Sequence, residues 1–140
     1  MTYRKTVIRS YRAEDESLLF SLARSSFGER GAWDDGHTLA VLETDTVFVA
    51  ELDGRPAGYV AVEAAGDAIR IEQLFVSPEH EGEGVGRQLL EYAEGFAISQ
   101  GARTLQVVVE GDNRRALSFY CGRGITEAAA GLFQLVLPQE

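Results

Sequence analysis

The chain predicts an α/β (α+β) fold, a mixed sheet in three layers with helices on both faces. Three observations carry that prediction. Segments of strand character alternate with amphipathic helices in the order β-α-α-β-β-β-α-β-α-β-β, which asks for a sheet covered on both sides. The stretch 71–97 runs from a β-branched and aromatic strand through a Pro-punctuated turn and three alternate glycines, Gly82, Gly84 and Gly86, into a helix. At 140 residues, 45% hydrophobic and 25% charged, the chain has the size and balance of one domain, residues 1–140, with its own core.

In chain order, 6–10 reads as a short first strand, and Ala13, Glu14, Asp15 and Glu16 supply the acidic first turn that a helix prefers. Leu18, Leu19, Leu22, Ala23 and Phe27 form that helix's apolar stripe, broken by Gly28 and Gly31. A loop through Trp33, Asp34, Asp35 and Gly36 precedes a second short helix near 38–42. Phe27 and Trp33 are candidates for lining a substrate pocket, and aromatic caps over a core are the commoner use of such residues. A strand over 46–52 and its return over 57–63 flank Asp53-Gly54, a strong hairpin signal. In the next strand, 69–76, apolar residues begin on odd positions, Ile69 and Ile71, then become continuous at Leu74, Phe75 and Val76. That change of phase predicts a β-bulge or a newly covered face.

The helix that follows carries Val85, Leu89, Ala93, Phe96 and Ala97 at helical spacing, so it has one apolar stripe and starts within the glycine run. Glycines there admit φ > 0 and bring a ligand close to bare N–H groups. Those groups are the unpaired donors of a helix N-terminus, a ready place for phosphate. Glycine-rich strand-to-helix turns also serve merely as tight connections. The spacing is neither Gly-x-Gly-x-x-Gly nor a P-loop, since no Gly-Lys-Ser/Thr follows. Gly101 is the expected C-cap, 103–110 is a β-branched strand, and Asp112 or Asn113 caps a helix bearing Ala116, Leu117, Phe119 and Tyr120. Small residues over 128–131 and a strand over 132–137 close the sequence.

Thirteen basic against 22 acidic residues give a formal charge of −9, which disfavours nonspecific nucleic-acid binding and favours cationic partners. Solubility alone also accounts for such a charge. The one cysteine, Cys121, excludes an internal disulfide and a cysteine-built metal cluster, and His37 and His80 stand far apart with no paired ligand at metal spacing, so no metal is expected. The first residues lack the apolar core of a signal peptide and no run approaches membrane-spanning length, so a cytoplasmic location with no membrane partner is the expectation.

Two segments carry a resemblance. Val76-Ser77-Pro78-Glu79-His80-Glu81-Gly82-Glu83-Gly84-Val85-Gly86-Arg87-Gln88-Leu89-Leu90 resembles the coenzyme A loop, Arg/Gln-x-x-Gly-x-Gly/Ala, of the GNAT superfamily of acetyl-CoA-dependent N-acetyltransferases. Asn113-Arg114-Arg115-Ala116-Leu117-Ser118-Phe119-Tyr120-Cys121-Gly122-Arg123-Gly124-Ile125 resembles its later Asn-x-x-Ala-x-x-Phe-Tyr-x-x-x-Gly-Phe segment. The element order agrees over essentially the whole chain. The resemblance implies a GNAT-type fold, a mostly antiparallel twisted sheet of about six or seven strands flanked by about four helices.

It also implies acetyl-CoA (coenzyme A) as cofactor, with the pyrophosphate at the amides of Gly82, Gly84, Val85 and Gly86. The backbone of Leu74 and Val76 would pair with the pantetheine arm and polarise the thioester carbonyl, as fixed donors do without reorganising. Asn113 would touch the cofactor, and Phe75, Glu81, Glu83, Arg87, Ala116, Phe119 and Arg123 complete the implied cofactor site. Tyr120 would act as general acid for the departing thiolate, being protonated at neutral pH. For the proton of the attacking amine, Glu72 beside the bulge is the first candidate base and Glu63 on the neighbouring strand the second. Cys121 is read as structural, because direct transfer is the family's usual route.

One position departs from the pattern. Glu81 stands where the family usually has Arg or Gln, with Glu79 and Glu83 beside it. A carboxylate roughly 6 Å from a phosphate charge costs about 1 to 3 kcal/mol, depending on the effective dielectric. Arg87, with Arg114 or Arg123, is expected to compensate. The leading reading is acetyl transfer to a primary amine of a small molecule or peptide by direct attack. Asp34, Asp35 and Glu43 lean it toward a cationic acceptor. The alternative is a GNAT-fold acyl-CoA-binding or regulatory protein with little turnover, which the acidic loop favours and Tyr120 opposes. A homodimer through an exposed edge strand is compatible with either.

Overall fold

The computed structural model describes residues 6–27, 41–42, 46–109 and 113–139, with the side chains of 22–27 outside the description. Its strands are β1 Thr6–Ser10, β2 Thr46–Leu52, β3 Arg55–Ala65, β4 Ala68–Val76, β5 Thr104–Val108, β6 Thr126–Ala129 and β7 Leu132–Val136. The helices among the described residues are α1 Glu16–Phe27, α2 Val85–Ser99 and α3 Arg114–Cys121. The strands form one sheet in the order β1-β2-β3-β4-β5-β7-β6. Every pairing is antiparallel except β4 with β5.

Local chemistry sets the connections. Asp53 and Gly54 both take positive φ, 53° and 80°, the two-residue hairpin turn that matches strand twist. At the end of α2, Gly101 at φ 74° lets the Ala102 N–H reach the Ala97 carbonyl at 3.0 Å, closing the helix. α1 is tied to the sheet by charge. Arg9 donates from both terminal nitrogens to the Asp15 carboxylate at 2.8 Å and from Nε to Glu51 at 2.9 Å. Asp15 also accepts the Arg12 N–H at 2.8 Å, so its nearly buried carboxylate joins β1, β2 and the entry to α1.

The sheet buries a different cluster on each face. On one, Phe48, Val60, Val62, Ile69 and Ile71 meet Val85, Leu89, Leu90, Ala93 and Ala97 of α2, with Tyr120, Ile125 and Phe133 extending the same core. On the other, Leu19 of α1 packs with Val47, Val49, Tyr59, Ala61 and Phe75. Strand alternation explains the split, since neighbours such as Phe48 and Val49 point to opposite faces. Leu18, expected in the buried stripe, is exposed at 51%. Adjacent helical residues lie about 100° apart, and a stripe centred on Leu19 leaves Leu18 on its flank. β5 is shorter than the expected 103–110. Gly28, Gly31, the Trp33 to Gly36 loop and most of the short helix near 38–42 lie outside the described residues.

The predicted phase change is a bulge at Glu72. Gln73 pairs with Ala61 and Ile71 with Val62, so Glu72 has no cross-strand counterpart on β3. Before it, Ile69 and Ile71 face α2, while after it Leu74 and Val76 pack there and Phe75 joins the α1 cluster. The bulge thus moves odd-numbered side chains from one face to the other. β4 and β5 also separate here. Their parallel register ends at Ile71 with Val107, so the ladder between these two strands does not continue along residues 72–76.

Candidate active site

The separated end of β4 leads directly into the glycine loop. The Ser77 N–H donates to the Ala57 carbonyl at 2.7 Å, where the β2–β3 register shifts, so the loop leaves the sheet at a fixed place. Gly82 and Gly84 take φ 81° and 86°, a left-handed conformation that a side chain would strain. Gly84 is the N-cap of α2 and offers no side-chain acceptor, and the helix's first backbone bond runs from the Gln88 N–H to the Gly84 carbonyl. Gly84 has no side chain with which to cap the N–H groups of Val85, Gly86 and Arg87. A set of converging donors at the positive end of a fifteen-residue helix suits a multiply charged phosphate.

α3 closes over this loop. Its N-cap is Asn113, whose side chain accepts the Ala116 N–H at 3.2 Å. That bond occupies the side-chain oxygen expected at the cofactor, and capping accounts for the residue by itself. Phe119 lies over Gly86, where an added Cβ would stand 3.6 Å from its ring and 3.4 Å from Val76. The Phe119 and Tyr120 rings meet edge to face at 5.2 Å. Tyr120 is buried in the α2-side core, and burial alone pushes its phenol above the ordinary tyrosine range.

The sequence-assigned residues fall into groups. Leu74, Val76, Ala116, Phe119 and Tyr120 belong to the α2-side core or pack against it, and Val76 and Phe119 meet Gly86 of the loop that Gly82 and Gly84 shape. Val85 contributes backbone only, its side chain being in the core, and the Phe75 side chain lies on the opposite face against Tyr59. Glu72 is half-buried at the bulge, whereas Glu63 is exposed on β3. Arg123 and Cys121 are exposed. Trp33, the Phe27 side chain, Asp34, Asp35 and Glu43 lie outside the described residues.

The expected charge compensation gains a partner that the sequence did not single out. Glu81 is met by Arg115 of α3, whose Nη2 donates to Oε2 at 2.8 Å. Arg87 has Nε 3.9 Å from Glu91 one turn along its own helix and Nη2 3.7 Å from where a Cβ on Gly84 would stand, so it remains beside the glycine loop. Glu83 lies 2.9 Å from His80 Nδ1, so two of the three loop carboxylates have basic neighbours.

Two supports went unread in the sequence. Gly58, in the interior of β3, lies opposite Val76, and a Cβ there would sit 2.4 Å from the Phe75 carbonyl oxygen. A glycine inside a strand is the available signal for such close approach. Tyr59 donates from its hydroxyl to Gln73 Oε1 at 2.8 Å, and both side chains are buried. Gln73 adjoins the bulge, so this bond holds the strand where β4 leaves β5.

The Acetyltransferase (GNAT) family model matches residues 9–124. An uncharacterized N-acetyltransferase of Archaeoglobus fulgidus is 33% identical over 96 residues, which make up 64% of this chain and 65% of that protein. The chain thus spans just under two thirds of that relative. The ribosomal-protein-S18-alanine N-acetyltransferase of Escherichia coli superposes with a TM-score of 0.79 at 20% identity, over 97% of this chain and 95% of that one. A GNAT family acetyltransferase from Brucella melitensis, solved with acetyl-CoA, gives 0.75 at 19% identity over 99% and 92% of the two chains. No helix among the described residues is long and apolar enough to cross a membrane.

Proposed function

The chain belongs to the acetyltransferase (GNAT) family, and on that premise we propose that it moves an acetyl group from acetyl-CoA to a primary amine of a small molecule or peptide by direct nucleophilic attack. The observation that carries this reading is the glycine-capped head of α2 beside the end of β4 that has parted from β5, with Tyr120 on the helix above. Glycines at positive φ and the N–H donors of a helix start fit a pyrophosphate. A strand end that has parted from its neighbour fits an extended arm bearing amides of its own.

Acetyl-CoA supplies an acetyl group activated as a thioester. The loop from Gly82 to Gly86 holds the phosphates, and the backbone around Leu74 and Val76 orients the arm and offers N–H groups to the thioester carbonyl. Glu72, half-buried beside that edge, takes the amine's proton. Tyr120, kept protonated by burial, donates a hydrogen bond to the leaving sulfur. Full transfer from so weak an acid to a thiolate of ordinary basicity, pKa about 8.5, is uphill. Tyr120 therefore acts chiefly by stabilising the developing charge.

The acceptor is proposed as an amine of a cationic small molecule or a peptide, and the enzyme as a cytoplasmic homodimer. The Escherichia coli protein is named for an alanine of ribosomal protein S18 as its acceptor, and the exposed edge strand β6 offers a dimer seam. The pairing of Glu81 with Arg115 weakens the case for a non-catalytic binding protein, which rested on repulsion in the loop.

The test joins binding to turnover. Acetyl-CoA at about 100 times its dissociation constant should stabilise the protein by roughly 2.7 kcal/mol, a rise of several degrees in Tm. A panel of peptide and small-molecule amines should then release free thiol. A Tm rise with no thiol from any amine would favour the binding-protein reading, and no rise at all would remove the cofactor.

A further inference from the structure

We propose that Arg115 is a pyrophosphate-binding residue, held by Glu81 while the loop is empty and exchanged onto the phosphate when the cofactor arrives; this rests on the acetyl-CoA reading above. Glu81 precedes the glycines, and its carboxylate accepts from Arg115 Nη2 at 2.8 Å across the gap between loop and α3. α3 is fixed in that place by the Asn113 cap and by Phe119 against Gly86. Arg115 lies one helical turn before Phe119, so its guanidinium projects from the same side of α3 toward the loop. Arg87, the other arginine beside the loop, reaches Gly84 from the α2 side, with Nη2 3.7 Å from where a Cβ there would stand and Nε 3.9 Å from Glu91.

The pair is exposed, with side chains 73% and 42% accessible. Exposed ion pairs are weakly held, and guanidinium takes a phosphate with the same parallel pair of N–H bonds it offers a carboxylate. The converging donors of the glycine loop add field and geometry that Glu81 lacks. The departure at Glu81 thus has a counterpart on α3. The cation that the family's loop usually carries itself comes here from α3, and Glu81 keeps it beside the site.

Calorimetric titration of acetyl-CoA into the parent chain, Glu81→Gln, Arg115→Gln and the double variant separates this exchange from simple screening. Glu81→Gln should tighten binding and Arg115→Gln weaken it, each by about three- to tenfold for one exposed charge near a phosphate. Arg115→Gln should still weaken binding when Glu81 is already Gln. If it has no effect in that background, Arg115 only shields the carboxylate and the proposal fails. It fails too if the parent binds and Glu81→Gln leaves affinity unchanged. Absence of binding by all four proteins, each shown folded by its melting curve, would instead overturn the cofactor reading and this inference with it.

Discussion

Tyr120 was readable as a candidate from its motif, but its usefulness depends on burial that no motif specifies. Its hydroxyl sits in apolar surroundings that hold the proton on, so Tyr120→Phe removes a donor and little packing. We expect kcat to fall by about 10²-fold with KM nearly unchanged, the usual cost of losing one donor to a developing anion. Glu72→Gln should remove the acidic limb of the pH profile of kcat/KM and lower the plateau by about 10²-fold or more. A profile that keeps its shape would dismiss Glu72 as the base. Glu81 shows the opposite limit of residue-level reading. Its misfit was visible at once, whereas Arg115, 34 positions away, emerged only when α3 was folded against the loop. The sequence offers four arginines in this region, and helical phase decides which one arrives.

At the scale of elements, the strand, loop and helix between residues 68 and 99 were legible because each signal is local: β-branched alternation, a proline, three glycines and a 3.6-residue apolar stripe. The phase change in β4 even located the bulge, because its cause is a shift of face that the sequence must obey. The separation of β4 from β5 was not legible, since pairing depends on two strands more than 30 positions apart. Gly58 links these scales. Gly58→Ala places a methyl group against the Phe75 carbonyl oxygen and the Leu89 side chain. The strand end must shift, at a cost of about 1 to 3 kcal/mol. We expect a lower Tm together with weakened acetyl-CoA binding. A fall in Tm with unaltered affinity would mean that the end of β4 does not hold the cofactor.

For the whole molecule, stability should be bounded on both sides of neutrality by buried groups. Asp15 is held below its ordinary 3.8 chiefly by the hydrogen-bonded Arg9, against the opposing effect of burial. A depressed carboxylate stabilises fully above its unfolded value, so stability declines as pH falls below about 4. Asp15→Asn should cost about 2 to 4 kcal/mol at neutral pH by leaving Arg9 short of charge, and should flatten the acid limb. Tyr59 and Tyr120 are pushed up from 10.0 by burial, so only the unfolded chain releases their protons at moderately alkaline pH. Stability should therefore drop above pH 10, by about 1.4 kcal/mol per pH unit for each tyrosine. Urea titrations across pH would show half that slope if one phenol were solvent-accessible and a flat alkaline limb if both were. The sequence by itself determined the fold class, the order of the described strands and helices, the hairpin at Asp53-Gly54 and the glycine turn into α2, because periodicity, turn chemistry and caps act over a few residues. Tertiary structure decided which arginine answers Glu81, which face takes Phe75, and where β4 parts from β5. Those outcomes depend on distances between segments remote in the chain, which only packing against a common core can set.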